Sequence, residues 1–189
     1  MSIWRIVFAI HGRICHLFRR IQAHVEINRL KCLGVEIGTG VTIYGRPIVS
    51  MAFNSRISIG NNVVICSDSR MTALGVTRPV VLRTLMGGAE IVIGDDVGIS
   101  GAVICSSTTV FIGRNTLLGA NVTICDTDFH PLSARGRRHD EFNIKSSPVV
   151  LEGNNFIGAN STILRGVTIG LENNRRRFYI EFIMSPATR

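Results

Sequence analysis

A histidine in an acidic turn is the first candidate for chemistry in this sequence. His130 follows Asp126 and Asp128 in the segment Asp-Thr-Asp-Phe-His-Pro. An imidazole, with an unperturbed pKa of about 6.5, can accept a proton near neutral pH and so act as a general base. A nearby carboxylate could orient the ring, which makes both aspartates possible orienting residues. An ordinary loop histidine held by a solvated acidic turn would give the same pattern, and the residues themselves leave both interpretations open.

Metal and disulfide chemistry have weaker support. Apart from His130, the histidines are His11, His16 and His24 near the start and His139 close to His130. A zinc lyase site of the carbonic anhydrase type needs three histidines from neighbouring coils and subunits of a regular β-fold. The regular body of this chain offers too few, so we expect no metal. The five cysteines are odd in number and show no C-x-x-C spacing. This usage predicts free thiols in a reducing, cytoplasmic setting.

Charge narrows the range of partners. The net charge is +8, which favours an acidic partner such as a nucleic acid, an anionic lipid or a phosphate-bearing cofactor. Aromatic residues make up only 6% of the chain and do not alternate with the basic residues, so we expect no nucleic acid as partner. No run of about 18 apolar residues predicts a transmembrane helix.

The residues that must position His130 follow a six-residue repeat. Aliphatic residues recur at six-residue steps, and a small or β-branched residue often stands four positions later. Each unit fits one short strand and one turn, and three units would close a triangular coil. Stacked coils would bury a continuous aliphatic column, as in other solenoids. The runs are Ile37-Ile43-Val49, Ile59-Ile65, Ile93-Ile99-Cys105, Ile112-Leu118-Ile124 and Ile157-Ile163-Ile169.

Two long segments interrupt the repeat, at residues 66–90 and 126–148. A solenoid accommodates insertions as loops that leave one face, and long loops in a regular scaffold are often functional. His130 lies at the opening of the second loop, which strengthens its candidacy.

The stretch from Val35 to Gly170 resembles the hexapeptide-repeat acyltransferases, especially the sugar and polysaccharide O-acetyltransferases of the maltose and galactoside type. The likeness is most marked at Asp126–Leu132, Ile157–Ser161 and Gly166–Gly170. It implies a mostly β fold, a left-handed parallel β-helix, and a homotrimer with active sites between subunits. It also implies transfer of an acetyl or similar acyl group from acetyl-CoA to a sugar or polysaccharide hydroxyl, with His130 as general base.

The resemblance further assigns residues to the two substrates. It points to the small turn residues Gly158 and Ala159 as the place where the pantetheine arm of acetyl-CoA lies. Ser100 is the candidate for binding the acceptor, although some family members have an asparagine near this position. A plain turn serine explains Ser100 equally well.

The sequence divides into three parts: a helical segment at 1–34, the β-helix at 35–170 and a tail at 171–189. Apolar residues from Ile3 to Ile21 recur at steps of three and four, which predicts an amphipathic helix over residues 3–30. Such a basic helix could cap the open end of the solenoid, lie on an anionic membrane, or do both.

The hexads stop at Leu171, where the resemblance would imply at least one further coil. Loss of that coil would weaken the binding of CoA. The alternative function is therefore a catalytically impaired β-helical scaffold.

Overall fold

The chain folds as one long helix followed by many short strands. The computed structural model describes residues 3–134, 137–140 and 142–172, and for residues 3–16 the description is confined to the backbone. A short 3-10 turn, Ser69–Met71, lies between the fifth and sixth strands. In chain order the elements are α1 (Ile3–Cys32), β1 (Glu36–Ile37), β2 (Thr42–Tyr44), β3 (Ile48–Ser50), β4 (Arg56–Ile59), β5 (Val64–Cys66), β6 (Val81–Thr84), β7 (Glu90–Ile93), β8 (Gly98–Ser100), β9 (Val103–Ser106), β10 (Thr109–Ile112), β11 (Leu117–Leu118), β12 (Thr123–Cys125), β13 (Val149–Leu151), β14 (Phe156–Ile157), β15 (Thr162–Ile163) and β16 (Thr168–Ile169).

Every third strand pairs in parallel, so the chain winds as a solenoid with three sheets. Sheet A has the order β1-β4-β7-β10-β13-β16, sheet B β2-β5-β8-β11-β14, and sheet C β3-β6-β9-β12-β15. Three consecutive strands, one from each sheet, form a coil, and we number the coils from 1 at β1. The predicted parallel β-helix with an N-terminal helix is confirmed. Its left-handed winding stays a prediction.

Aliphatic side chains stack through the middle of the solenoid. In sheet A, Ile59 pairs with Ile93, Ile93 with Ile112, and Ile112 with Leu151. All four side chains are buried. Each residue sits directly beside its equivalent in the next coil because the parallel register repeats at one strand spacing, about 4.8 Å. The hexad positions of the sequence therefore form the core.

One hexad position differs from the predicted one. The six-residue spacing placed Cys105 in the core column of sheet C, but Ile104 pairs with Ile124 there and is fully buried. The turn between Ile99 and Ile104 is one residue shorter than a full hexad, and Gly101 within it has a φ of 57°, a left-handed conformation that suits glycine. Cys105 consequently lies on the outer side of β9.

Asparagine and aspartate form one corner of the triangular coil. Asn62, Asp96, Asn115 and Asn154 all have φ between 51° and 57°, a left-handed conformation that these short polar side chains tolerate. Their side chains also connect neighbouring coils: the Asn62 amide donates to Asp96 at 3.2 Å, and the Asn115 amide donates to Asn154 at 2.9 Å.

Helix α1 closes the first coil of the solenoid. Leu30 is fully buried within the core, Ala23 is buried, and Ile27 packs against the core from the side. The contact face differs from the apolar stripe of the sequence, because Leu17 and Ile21 of that stripe are 60% and 54% exposed. The capping role is thus present, on another side of the helix.

Candidate functional site

The two ends of the insertion at residues 126–148 are joined by hydrogen bonds. Thr127 and Ser146 form an antiparallel bridge, and their hydroxyl groups lie 2.9 Å apart. Beside them, the backbone N–H of Asp128 donates to the carbonyl of Lys145 at 3.0 Å. These bonds fix the direction in which the loop leaves the edge between sheets C and A. His130 lies just beyond them in the chain.

Asp126 ties the loop to the coil beneath it. Its carboxylate is fully buried and accepts four hydrogen bonds, from the Ser106 hydroxyl, the Ser107 N–H, and both the N–H and the hydroxyl of Thr108. The distances run from 2.6 to 2.9 Å. These contacts engage both carboxylate oxygens in a neighbouring turn, and no described contact joins them to His130.

Asp128 connects the loop to the following coil instead of to the histidine. Its Oδ1 lies 2.7 Å from Nε of Arg165, which follows β15, and both side chains are largely buried. The other oxygen, Oδ2, is buried and has no hydrogen-bond partner among the described residues. The predicted orienting role of Asp126 and Asp128 stays a prediction, and the described contacts give both residues a role in anchoring the loop.

His130 is solvent-exposed at the start of the projecting arm. Phe129 before it has a φ of 59°, which turns the chain, and Pro131 after it is buried. Among the described residues none hydrogen-bonds to the His130 ring. An open pocket of about 500 Å³ adjoins the ring and is lined by His130, Ala134, Arg137, Arg138 and His139.

Ser100, Gly158 and Ala159 lie along a different edge of the solenoid, between sheets B and C. Ile99, Leu118 and Ile157 are register partners, so Ser100 and Gly158 follow at equivalent positions two coils, about 10 Å, apart. Gly119 stands between them, and a Cβ at that position would come within 2.6 Å of the Ala159 nitrogen. The structure brings the predicted acceptor and CoA residues to one edge and places His130 at the next.

The first insertion, now delimited as residues 67–80, covers part of this second edge. Its Arg78 donates to the carbonyl oxygen of Asn121 at 3.3 Å. Gly101 lies directly beneath the loop, because a Cβ there would stand 2.7 Å from the Cβ of Val76. The loop therefore rests on the coils that follow it, next to Ser100.

Three cysteines near the site are poor nucleophiles. Cys105 and Cys125 are register partners in sheet C, and both are buried. Burial raises the pKa of the Cys66 and Cys105 thiols. Burial, together with the nearby Cys105 and the carboxylates of Asp126 and Asp128, raises the pKa of Cys125 to about 11. These thiols are protonated at neutral pH, which disfavours covalent catalysis through them.

Sequence reasoning missed the residues that hold the loops in place. Arg165 lies 37 residues from its partner Asp128, and no local pattern connects the two. The Ser-Ser-Thr run at 106–108 is a recognisable signal, because hydroxyl and turn N–H groups after a strand need an acceptor. Among the described residues, no group of three or more His, Cys, Asp or Glu side chains could hold a metal ion.

Comparison with family models, curated proteins and solved structures returned no match. Function has to be inferred from the residues of this chain. In the part of the chain that the structure describes, no helix is long and apolar enough to cross a membrane.

Proposed function

We propose that the protein transfers an acetyl or similar acyl group from acyl-CoA to a sugar or polysaccharide hydroxyl. His130 takes the proton of the acceptor hydroxyl as its oxygen attacks the thioester carbonyl. The C–S bond then breaks, an ester C–O bond remains, and the imidazolium returns the proton to the CoA thiolate. Acyl-CoA is a co-substrate here, and no metal is required.

The observation that carries this proposal is the exposed ring of His130, which follows the hydrogen-bonded start of the loop and has no hydrogen-bond partner among the described residues. A general base must have a free nitrogen within reach of its substrate, and the described residues offer the ring no competing hydrogen bond. The Thr127–Ser146 bridge and the Asp128–Arg165 pair hold the start of the loop, which supports positioning of the base.

The pocket beside His130 suits an anionic substrate. Arg137 and Arg138 contribute to its lining together with His139. Guanidinium groups bind phosphates and carboxylates well, so either the phosphates of CoA or an acidic sugar would be attracted to this pocket.

Separation of the two edges supports a trimer. His130 leaves between sheets C and A, whereas Ser100 and Gly158 lie between sheets B and C, so one copy would complete its site with a neighbour. The outer face of sheet B carries an exposed apolar column of register neighbours on which such a copy could pack. A head-to-tail contact of this kind closes into a ring when the rotation allows it. The column runs Val64, Gly98, Leu117 and Phe156, and its three large side chains are 41%, 51% and 50% exposed.

The decisive experiment measures thiol release from acetyl-CoA by the full-length protein with a panel of sugar acceptors. We expect release that depends on both acceptor and protein, with transfer of labelled acetyl to the sugar. Reactions without acceptor control for hydrolysis. Absence of transfer with every acceptor and acyl chain length would overturn the proposal.

A second candidate, an inert β-helical scaffold, has one observation in its favour. The six-residue repeat of the sequence stops at Leu171, just after β16, where the resemblance implies at least one further coil. The predicted divergent tail spans residues 171–189, and from residue 173 on it lies outside the described residues. A protein that forms the predicted trimer but neither binds nor turns over acetyl-CoA would support this candidate.

A further inference from the structure

Among its described side chains, at residues 17–32, helix α1 presents two apolar faces, and one of them packs into the core of the solenoid. We propose that the second face binds the surface of an anionic lipid membrane. It consists of four large apolar side chains, which are 54–67% exposed: Leu17, Phe18, Ile21 and Val25.

The two faces lie on opposite sides of the helix. Successive residues of an α-helix are about 100° apart, so Leu17, Ile21 and Val25 share one side. Ala23 and Leu30, which are buried against the first coil, fall on the other side. The outer face therefore points away from the solenoid and does not compete with the capping contact.

The sequence extends the outer face towards the N-terminus. Ile3, Val7, Ile10 and Ile14 continue the same spacing within α1. A stripe over residues 3–25 would measure about 33 Å at 1.5 Å per residue, which is long enough to lie across many lipid headgroups. Because no described helix is apolar enough to cross a membrane, the helix would lie in the interface plane.

The charge of α1 favours a membrane over a second copy of the helix as the partner of its outer apolar face. The acidic residue of α1, Glu26, is buried and bound to Arg29 at 2.6 Å, so it offers little to a partner. The described charges left exposed along α1 are positive, and the sequence adds Arg5 and Arg13. A bundle of such helices would bring like charges together, whereas an anionic surface would neutralise them. The exposed cations are Arg19, Arg20 and Lys31.

The test is co-sedimentation of the full chain with vesicles of phosphatidylcholine, either pure or mixed with phosphatidylglycerol. We expect binding to the mixed vesicles, little binding to the pure ones, and weaker binding at high salt. Leu17→Ser together with Ile21→Ser should weaken binding about tenfold, because both side chains would leave the acyl boundary. Arg20→Gln and Lys31→Gln should each cost about fivefold.

Matched controls distinguish vesicle binding through this face from nonspecific hydrophobic adsorption and from an effect of the substitutions on folding. Phe53→Ser with Leu74→Ser removes two side chains that are 87% and 78% exposed on the solenoid, and it should leave vesicle binding unchanged. Thermal unfolding of the Leu17 and Ile21 variant should match the wild type closely, since both side chains are more than half exposed. Vesicle binding that survives this double substitution would overturn the proposal. So would a fall in oligomeric mass, measured by light scattering without lipid, combined with unaltered vesicle binding.

Discussion

The two insertions of this solenoid are held in opposite ways. Loop 67–80 lies along the coils that follow it, with Thr77 and Arg78 bound to Asn121. In loop 126–148 the described contacts with the coils are made by residues 126–128 and 145–147, and the described residues between them include Phe129 and Phe142, which are 44% and 96% exposed.

The first loop therefore covers the solenoid, whereas the second holds side chains away from it. An insertion that satisfies its polar groups on the scaffold protects an edge but offers few free groups for chemistry. An insertion that is anchored at its base and exposed beyond it can hold a reactive side chain out to a substrate or a neighbouring subunit. His130 lies just past the anchored residues 126–128, as expected for a side chain that is held out to a substrate. Four substitutions test this difference between the two loops.

The largest effect is expected at His130. His130→Ala should lower turnover by about 10²–10⁴-fold, because a general base contributes on that order. Sedimentation and titration with acetyl-CoA should show that assembly and cofactor binding are retained. His139→Ala removes the other imidazole that lines the pocket; as the matched control it should leave kcat nearly unchanged and raise KM modestly. Full turnover by the His130 variant would assign the base to another residue.

A large loss of stability is expected at the base of the projecting loop. Asp126→Ala would leave four donors without their buried acceptor, at a cost of about 3 kcal/mol or more in the free energy of unfolding. Urea denaturation measures this directly. Asp140→Ala, which removes hydrogen bonds to Phe142 and Asn143 in the exposed arm, should leave the midpoint nearly unchanged. Equal losses of unfolding free energy for Asp126→Ala and Asp140→Ala would contradict the difference between the anchored start of the loop and its exposed part.

An intermediate effect on activity is expected at the pair that joins the loop to coil 5. Asp128→Asn should lower turnover about tenfold, because weakening the Asp128–Arg165 pair would displace the His130 imidazole slightly, and a general base must be held precisely. Glu36→Gln breaks an ion pair of similar length with Arg56, 2.6 Å, on the first coils and should leave turnover unchanged. If the two variants behave alike, Asp128 has no specific role in positioning.

The smallest effect is expected where the covering loop is held. Asn121→Ala removes the acceptor of Thr77 and should destabilise the loop contact by about 1 kcal/mol. Asn115→Ala is the comparison, since Asn115 has a similar φ and a similar amide contact with the next coil but no described bond to the loop. Limited proteolysis within 67–80 should accelerate for Asn121→Ala only.

Local periodicity made most of the fold predictable. The isoleucine and glycine hexads give the core positions because an inward side chain and a turn recur at every corner of the coil. The prediction failed by one residue at Cys105, where the turn after Ile99 is one residue shorter than a hexad. Periodicity also indicated the helix α1, but it could not say which face would pack, because both faces carry apolar residues.

The candidate site was predictable only in part. The acidic turn marks His130, yet the partners of its aspartates come from distant chain positions. Asp126 binds the run 106–108, and Asp128 binds Arg165 in a later coil. Such pairings arise from the stacking of coils, so they become visible only when the register between coils is known.

The register of the solenoid does not depend on how much chain lies between its coils. From Ile112 to Leu151 the chain takes 39 residues, and from Leu151 to Ile169 it takes 18, yet both pairs are neighbours in sheet A. Lengthening a flexible loop costs little, about 0.6 kcal/mol for each doubling. Corner segments of this fold can therefore be exchanged or extended while the aliphatic column persists, which makes the chain a suitable host for grafted binding loops.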